Sequence, residues 1–248
     1  MSESEFLLIN NNNSRTKFAL ANRGELVGEH RVIDTKDLTE IDVADLLEEW
    51  NFSKIVMASV VPDRADELRG WFGETPMVEV SHKIKLGIEV DFPNPATIGA
   101  DRLANAAAVS EPMIVVDFGT AVTFDIISQQ NDDQLAYIGG VIAPGLDAMR
   151  NYLHQRTALL PEIDLREPPS AIGKSTEDAM LSGAVYGYRG LVREILVQIN
   201  NELDHDTKIV ATGGYADLIA AGMPEIERVE PFLTMEGLRI IGDLNFTI

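Results

Sequence analysis

Three short stretches carry residues whose types and spacing suit phosphate chemistry. In "DFGTAVT", Asp117 to Thr123, a carboxylate ends an apolar run, and Gly119 and the Thr120 hydroxyl follow. Glycine lets a backbone turn tightly and approach an anion. Successive N–H groups and a hydroxyl then cradle its oxygens, while Asp117 suits a cation. Alone, the stretch reads equally as a hairpin turn with a capping aspartate. In "IGADRLANAAA", Ile98 to Ala108, Asp101 and Arg102 open an alanine-rich helix. A carboxylate there accepts a proton from a hydroxyl nucleophile, and the guanidinium binds carboxylate or phosphate. An isolated pair of this kind is more simply an acid favoured by the helix dipole beside a solvated arginine. In "LLINNNNSRTKFAL", an apolar run breaks into Asn10, Asn11, Asn12 and Asn13, followed by Ser14, Arg15, Thr16 and Lys17.

The elements that must position these residues occur twice. Leu7, Leu8 and Ile9 overlay Ile114, Val115 and Val116; Asn10 then falls on Asp117, Asn12 on Gly119, Asn13 on Thr120 and Thr16 on Thr123. Each copy is an apolar strand, a polar turn and a second strand. The first third predicts the order β-β-β-α-β-α-β, with "KIVMASVVP" as a strand covered on both faces. After a proline-rich loop and the Asp101 helix, the pattern restarts at Met113 and runs through "AYIGGVIAP", a helix from Leu146, a long helix, "KIVATGG" and a closing helix. Such repetition predicts internal duplication. The expected boundary lies near Ser110-Glu111-Pro112, giving halves 1–110 and 111–248. With no low-complexity linker, the halves are expected to pack closely with a ligand cleft between them.

Other segments narrow the chemistry. Gly139-Gly140 and Gly213-Gly214 clear space at strand ends, for a ligand or for close packing, and a helix beginning near Tyr215 could aim its N-terminus at an anion. "IGKST" resembles the end of a Walker loop, but the required glycine five residues before Gly173 is Pro168, so that motif is rejected. Ser175 and Asp178 instead suit a helix cap. Gly183, Gly187 and Gly190 share one face of the helix that follows, expected to pack closely within the chain or across a dimer. His30, His82, His154 and His205 are scattered, with no metal-ligand spacing.

The 248 residues are 45% hydrophobic and carry a net charge of −20, which argues against a general nucleic-acid binder. A chain without cysteine, with an acidic start and without an apolar run of about 18 residues, leads us to expect neither export nor a membrane span but a cytoplasmic location.

In order and spacing, "INNNNSRTKFAL", "SVVP", "NPATIGADR", "VVDFGTAVTFD", "GGVIAPGL", "IGKST", "TGG" and "LTMEGL" resemble the type III pantothenate kinases across nearly the whole chain. The resemblance implies an α/β fold of two duplicated ribonuclease-H-like (actin-like ATPase) domains with mixed central sheets. It implies ATP-dependent phosphorylation of the pantothenate hydroxyl, the first step toward coenzyme A, by a homodimer. Asp101 would be the general base; Gly99, Ala100 and Arg102 would line the pantothenate site, and Thr176 would reach it from the partner subunit. Phe92 stands where the family often has tyrosine and keeps a ring without a hydroxyl. Residues Asn10 to Lys17 would form the first phosphate loop, Thr120 would contact ATP, and Asp117 would hold a monovalent cation, K⁺ or NH₄⁺. Mg²⁺ would accompany the nucleotide.

In the family the first loop reads Asp-x-Gly-Asn-Ser/Thr, whereas here it reads Asn10-Asn11-Asn12-Asn13-Ser14. Asn12 is the milder departure, since asparagine tolerates left-handed backbone. Asn10 is nearly isosteric with aspartate but has lost the charge that would help hold Mg²⁺. Loss of one electrostatic stabiliser costs about 10²–10³ in rate. The alternative is therefore a weakened homologue that binds nucleotide or pantothenate and regulates a partner; an intact Asp101 speaks against it.

Overall fold

Alternation of side chains along the first strand decides how the N-terminal layers form. In the computed structural model, which describes residues 4–129, 134–203 and 206–246, this strand is β1 (Phe6–Asn11), buried at every position. Phe6 and Leu8 belong to a core built with the helices α3 (Ala100–Ala107) and α7 (Leu233–Asn245). Leu7 and Ile9 belong to a second core on the other face, with α1 (Glu40–Leu47) and α2 (Pro62–Phe72). Successive strand residues point to opposite faces. Asn10 therefore lies on the α3 face and Asn11 on the α1–α2 face.

The first sheet has the order β3-β2-β1-β4-β5, with β2 (Arg15–Ala21), β3 (Leu26–Asp34), β4 (Lys54–Ser59) and β5 (Met77–Glu79). β1 is antiparallel to β2 and parallel to β4, so that Asn10 pairs with Lys17 and Ala58, and Asn11 with Thr16 and Ser59. The second sheet has the order β11-β10-β7-β8-β9-β6. Its strands are β6 (Glu89–Val90), β7 (Met113–Phe118), β8 (Ala121–Gln129), β9 (Leu135–Pro144), β10 (Ile209–Thr212) and β11 (Arg228–Val229). From β9 to β11 it repeats the first sheet position by position. Asp117 pairs with Thr212 on β10, the counterpart of Asn10 paired with Ala58 on β4. The expected duplication is thus present in topology as well as in element order. The two-residue strands β6 and β11 were too short to leave a periodic signal.

Two compact units emerge among the described residues. The first takes the chain up to Glu111, Ile127–Gly139 and everything from Phe232 onward; the second takes Pro112–Ile126 and Gly140–Pro231. Each unit is thus assembled from separate stretches of the chain rather than from one continuous half. The closing helix α7 belongs to the first unit because its stripe Met235, Leu238 and Ile241 packs into the α3-side core. The second unit contains α4 (Leu146–Arg156), α5 (Thr176–Leu203) and α6 (Ala216–Ala220), with Ile163, Met180, Leu181, Ala184 and Val185 in one of its cores.

α3 owes its seat to small residues. Ala100, Leu103, Ala104 and Ala107 form an i, i+3, i+4, i+7 stripe facing the core. Gly237 on α7 lies so close that a Cβ there would come within 1.8 Å of the Ala104 carbonyl oxygen. Thr234 also donates to buried Asn105 at 2.7 Å. A Gly237→Ala substitution is therefore expected to destabilise the protein by about 3 kcal/mol, the upper end of overpacking costs. Urea denaturation checks this; an unchanged midpoint would mean that α7 does not fix α3.

Candidate active site

The first-unit site begins at the β1–β2 turn. Asn12 closes it by donating its N–H to the Arg15 carbonyl at 3.1 Å, leaving Asn13, Ser14 and Arg15 exposed. Arg15 lies 3.8 Å from Asp34 with both side chains more than half exposed, a pair too solvated to hold the guanidinium back. Asn10 is 3% exposed. Its Oδ1, like Asn12 Oδ1, is buried with no hydrogen-bond partner among the described residues. Most buried acceptors are satisfied, so two orphaned amide oxygens in one hairpin mark a place where an external donor or cation belongs. Asn11 and Thr16 differ. Their side chains are fully buried and bonded to each other at 2.7 Å, so they brace the hairpin from the face opposite Asn10.

The end of β4 ties this hairpin to Asp101. Val60 donates its N–H to the Asn11 carbonyl at 3.1 Å, and a Cβ on Gly99 would touch Val60 Cγ1 at 3.5 Å and Asp101 Oδ1 at 2.6 Å. Gly99 is the N-cap of α3. Only its missing side chain lets the Asp101 carboxylate fold back over the helix start, where Oδ1 accepts the Arg102 N–H at 2.9 Å. Burial raises the Asp101 pKa above the usual aspartate value, against the lowering pull of the Arg102 N–H and the Arg102 charge. A carboxylate reluctant to ionise is a stronger base once ionised. Ala100, beside it, is buried in the α3 core.

Arg102 extends over the ring of Tyr137, 5.8 Å from its centroid. Tyr137 is 1% exposed and meets Phe92 edge-on at 6.2 Å. Phe92 thus joins an aromatic pair that braces Arg102. Tyr137 was not singled out in the sequence, because it sits in an apolar strand with no local sign of its partners.

In the second unit the turns at Gly119 and Gly213 lie beside Asp117, and the turn at Gly145 meets Thr120. Gly119 closes the β7–β8 turn by donating to the Ala121 carbonyl at 3.1 Å. Gly145 donates to the Thr120 carbonyl at 3.2 Å, and a Cβ at Gly145 would strike that oxygen at 2.4 Å. Gly213 has φ +94°, and a Cβ there would fall 2.5 Å from Asp117 Oδ1. Beside these turns the Tyr215 hydroxyl donates to Asp147 Oδ1 at 2.6 Å, and Arg150 lies 3.0 Å from the same oxygen. Burial, and secondarily the Asp147 charge, push the Tyr188 hydroxyl's pKa upward; it donates to the Pro144 carbonyl at 3.3 Å.

Thr176 is exposed at the start of α5, in the second unit. The expected cap is present: the Asp178 N–H donates to Ser175 Oγ at 3.1 Å. Of the three glycines in the stripe, Gly183 and Gly190 have open space where a Cβ would stand, and Gly187 meets only Met149 at 3.9 Å, so among the described residues nothing packs tightly on the stripe. His205 lies outside the described residues. Among the described residues no helix is long and apolar enough to cross a membrane.

Comparison with known proteins agrees with this arrangement. The family model described as type III pantothenate kinase matches residues 6–198. The type III pantothenate kinase of Akkermansia muciniphila is 48% identical, over 97% of this chain and 99% of its own. That of Methylacidiphilum infernorum is 38% identical, over 96% and 88% respectively. Among solved structures, the ethanolamine utilization protein EutJ from Carboxydothermus hydrogenoformans superposes with a TM-score of 0.57 at 12% identity, covering 95% of this chain and 89% of its own. Two mixed sheets repeating one strand order are the fold of the actin-like and sugar-kinase ATPases, and this chain belongs to the type III pantothenate kinase family.

Proposed function

We propose that this chain phosphorylates the hydroxyl of pantothenate from ATP, with Asp101 as the general base. ATP and pantothenate follow from family membership; no feature of the relatives supports a binding-only role. The observation that carries the role of Asp101 is its half-buried seat at the start of α3, which packs on the sheet face toward which Asn10 points. Asp101 takes the hydroxyl proton as the substrate oxygen attacks the γ-phosphorus. Arg102, braced by Tyr137 and Phe92, binds the pantothenate carboxylate, and Gly99 and Ala100 leave room beside it. The exposed turn from Asn13 to Arg15, with Lys17 at its base, binds ATP phosphates through N–H groups and cationic side chains. Thr120 is assigned to ATP by the family resemblance alone.

The orphaned oxygens of Asn10 and Asn12 fit a divalent cation or its waters, since Mg²⁺ takes oxygen donors and keeps part of its hydration shell. When bound, the cation neutralises charge on the phosphate oxygens. Among the described residues no cluster of three His, Cys, Asp or Glu is found. A cation at Asp117 would therefore be completed by carbonyl oxygens and water, a donor set suited to K⁺ or NH₄⁺ rather than to a transition metal. A second copy of the chain is the partner we assign to the exposed apolar side chains of α4 and α5, Met149, Tyr152, Leu153, Tyr186 and Val197. Thr176 opens the same helix, α5. A cysteine-free chain suits the reducing cytoplasm.

Substitutions at three positions, and the pH profile of the parent, test this reading. Pantothenate-dependent ADP release should fall about 10²–10⁴-fold in Asp101→Asn, the range of general-base catalysis. In the unsubstituted protein, activity should rise with pH through an apparent pKa above about 3.9, the ordinary aspartate value. Because the folded state holds the Asp101 proton more tightly than the unfolded chain, ionisation costs stability as pH rises through that folded value. Asp101→Asn should thus melt no lower than the parent at neutral pH. ADP release in Asp101→Asn equal to the parent would overturn its role. Gly99→Ala should displace the carboxylate and lower kcat about 10²-fold, with a circular dichroism spectrum like the parent's; unchanged kcat would mean that Asp101 does not need its present place. Asn10→Asp should lower the Mg²⁺ concentration giving half-maximal rate; no change would separate position 10 from the metal.

A further inference from the structure

A directed hydrogen-bond relay runs through the hairpin on the sheet face opposite Asn10. Thr35, 3% exposed and immediately after β3, donates its hydroxyl proton to the Asn12 carbonyl at 2.6 Å. A hydroxyl has one proton, so in the 3.0 Å contact between Thr35 Oγ1 and Thr16 Oγ1 the donor is Thr16. Thr16 accepts from Asn11 Nδ2 at 2.7 Å. Asn11 Oδ1 accepts from Ser59 Oγ at 2.6 Å, and Ser59 Oγ accepts the Val61 N–H at 3.1 Å. The sense is therefore Val61 N–H, Ser59, Asn11, Thr16, Thr35, Asn12 carbonyl. Flipping the Asn11 amide would require Thr16 to donate twice. Backbone bonds run alongside: the Thr35 N–H donates to the Ser14 carbonyl at 2.9 Å, and the Val60 N–H to the Asn11 carbonyl at 3.1 Å.

We propose that Thr35 and Ser59 are positioning residues for the nucleotide. Through Asn11 and Thr16 they fix the Asn12 carbonyl, and with it the path of the Asn13–Arg15 turn. The relay sits on the α1–α2 face, so it acts on ATP only through the backbone it holds. At its other end Ser59 adjoins Val60, the residue against which Gly99 rests beneath Asp101. One polar line thus sets the phosphate turn relative to the strand end that supports the base. A removed hydroxyl here leaves a buried acceptor unpaired, and such losses are the costly kind.

This inference rests on the hairpin being the ATP loop, and the experiment separates the two. Steady-state kinetics of the full-length protein would be measured with ATP and pantothenate varied in turn. Thr35→Val should raise KM for ATP about tenfold and leave KM for pantothenate within about twofold. Thr35→Ser, which keeps the hydroxyl, should restore KM for ATP. Ser59→Ala should repeat the effect from the other end, and the double variant should be little worse than either single, since both cut one relay. A merely structural role would move both KM values together or neither, and serine would not restore the ATP value selectively; that result overturns the proposal. Lys17→Ala is the control on the loop itself. If it raises KM for ATP while Thr35→Val does not, the relay fails and the loop stands; if Lys17→Ala leaves KM for ATP unchanged, the loop assignment fails first. Should Thr35→Val not fold, Ser59→Ala decides by the same split between the two substrates.

Discussion

The parallel pairing of β1 with β4 is the constraint on which the first-unit site depends. It sets Asn10 against Ala58 and Asn11 against Ser59. One register step further, the Val60 N–H reaches the Asn11 carbonyl, and Val60 becomes the surface on which Gly99 rests. A slip of one residue would exchange the faces of Asn10 and Asn11. The orphaned amide oxygen would then point toward α1 and α2, and the relay residue would point toward Asp101. Burial of Leu7, Leu8 and Ile9 on alternate faces prevents that slip, since it would move every apolar side chain of β1 to the opposite layer. Packing thus enforces a register that the polar residues exploit.

Duplication provides the same scaffold twice and lets each copy specialise. In the first, the residue at the strand end is an amide whose oxygen has no partner among the described residues, and the paired strand runs on into Val60, against which Gly99 at the start of the Asp101 helix rests. In the second, it is Asp117, and the paired strand runs on into Gly213, whose positive φ and missing side chain admit the carboxylate oxygen. Glycines stand where backbone crowds a functional group in both: Gly99 beside Asp101, Gly145 over Thr120, Gly213 beside Asp117. These positions are narrow by construction, so a single methyl group is a functional lesion rather than a change in folding propensity.

Much of this was legible in the sequence. Apolar triplets followed by polar turns revealed both strand pairs, and spacing revealed the duplicated order that the sheets repeat. The α3 helix and its Asp101-Arg102 start followed from an alanine-rich stripe behind a proline loop. What stayed hidden depends on contacts distant in sequence. Thr35 lies 23 residues from the carbonyl it binds, and nothing near it distinguishes it from an ordinary turn threonine. Tyr137 acquires meaning only from Phe92 and Arg102. The closing helix read as part of the C-terminal half, but its apolar stripe fits the first sheet, a tertiary preference that no local pattern encodes. Asn11 and Thr16 sit in the motif by position, yet alternation turns their side chains away from the ligand face.

If Asp101 is the base and position 10 faces the metal, as proposed, the amide at position 10 bears on both. Burial already opposes ionisation of Asp101, and the countervailing charge comes from its neighbour Arg102. Position 10 points to the same face of the sheet. A carboxylate there would attract a cation, but before the cation bound it would add like charge where ionisation is already costly, and like charges raise a carboxylate's pKa. A neutral amide adds no such repulsion and keeps an oxygen on the same face of the sheet. On the proposed roles, a weaker hold on the metal and less repulsion of the base are two effects of one atom's replacement, opposite in sign. The overall acidity of the chain, −20, makes removal of a buried negative charge less adverse than it would be in a neutral protein. On this reasoning the family's phosphate loop is altered here in its balance of charges while its frame is kept.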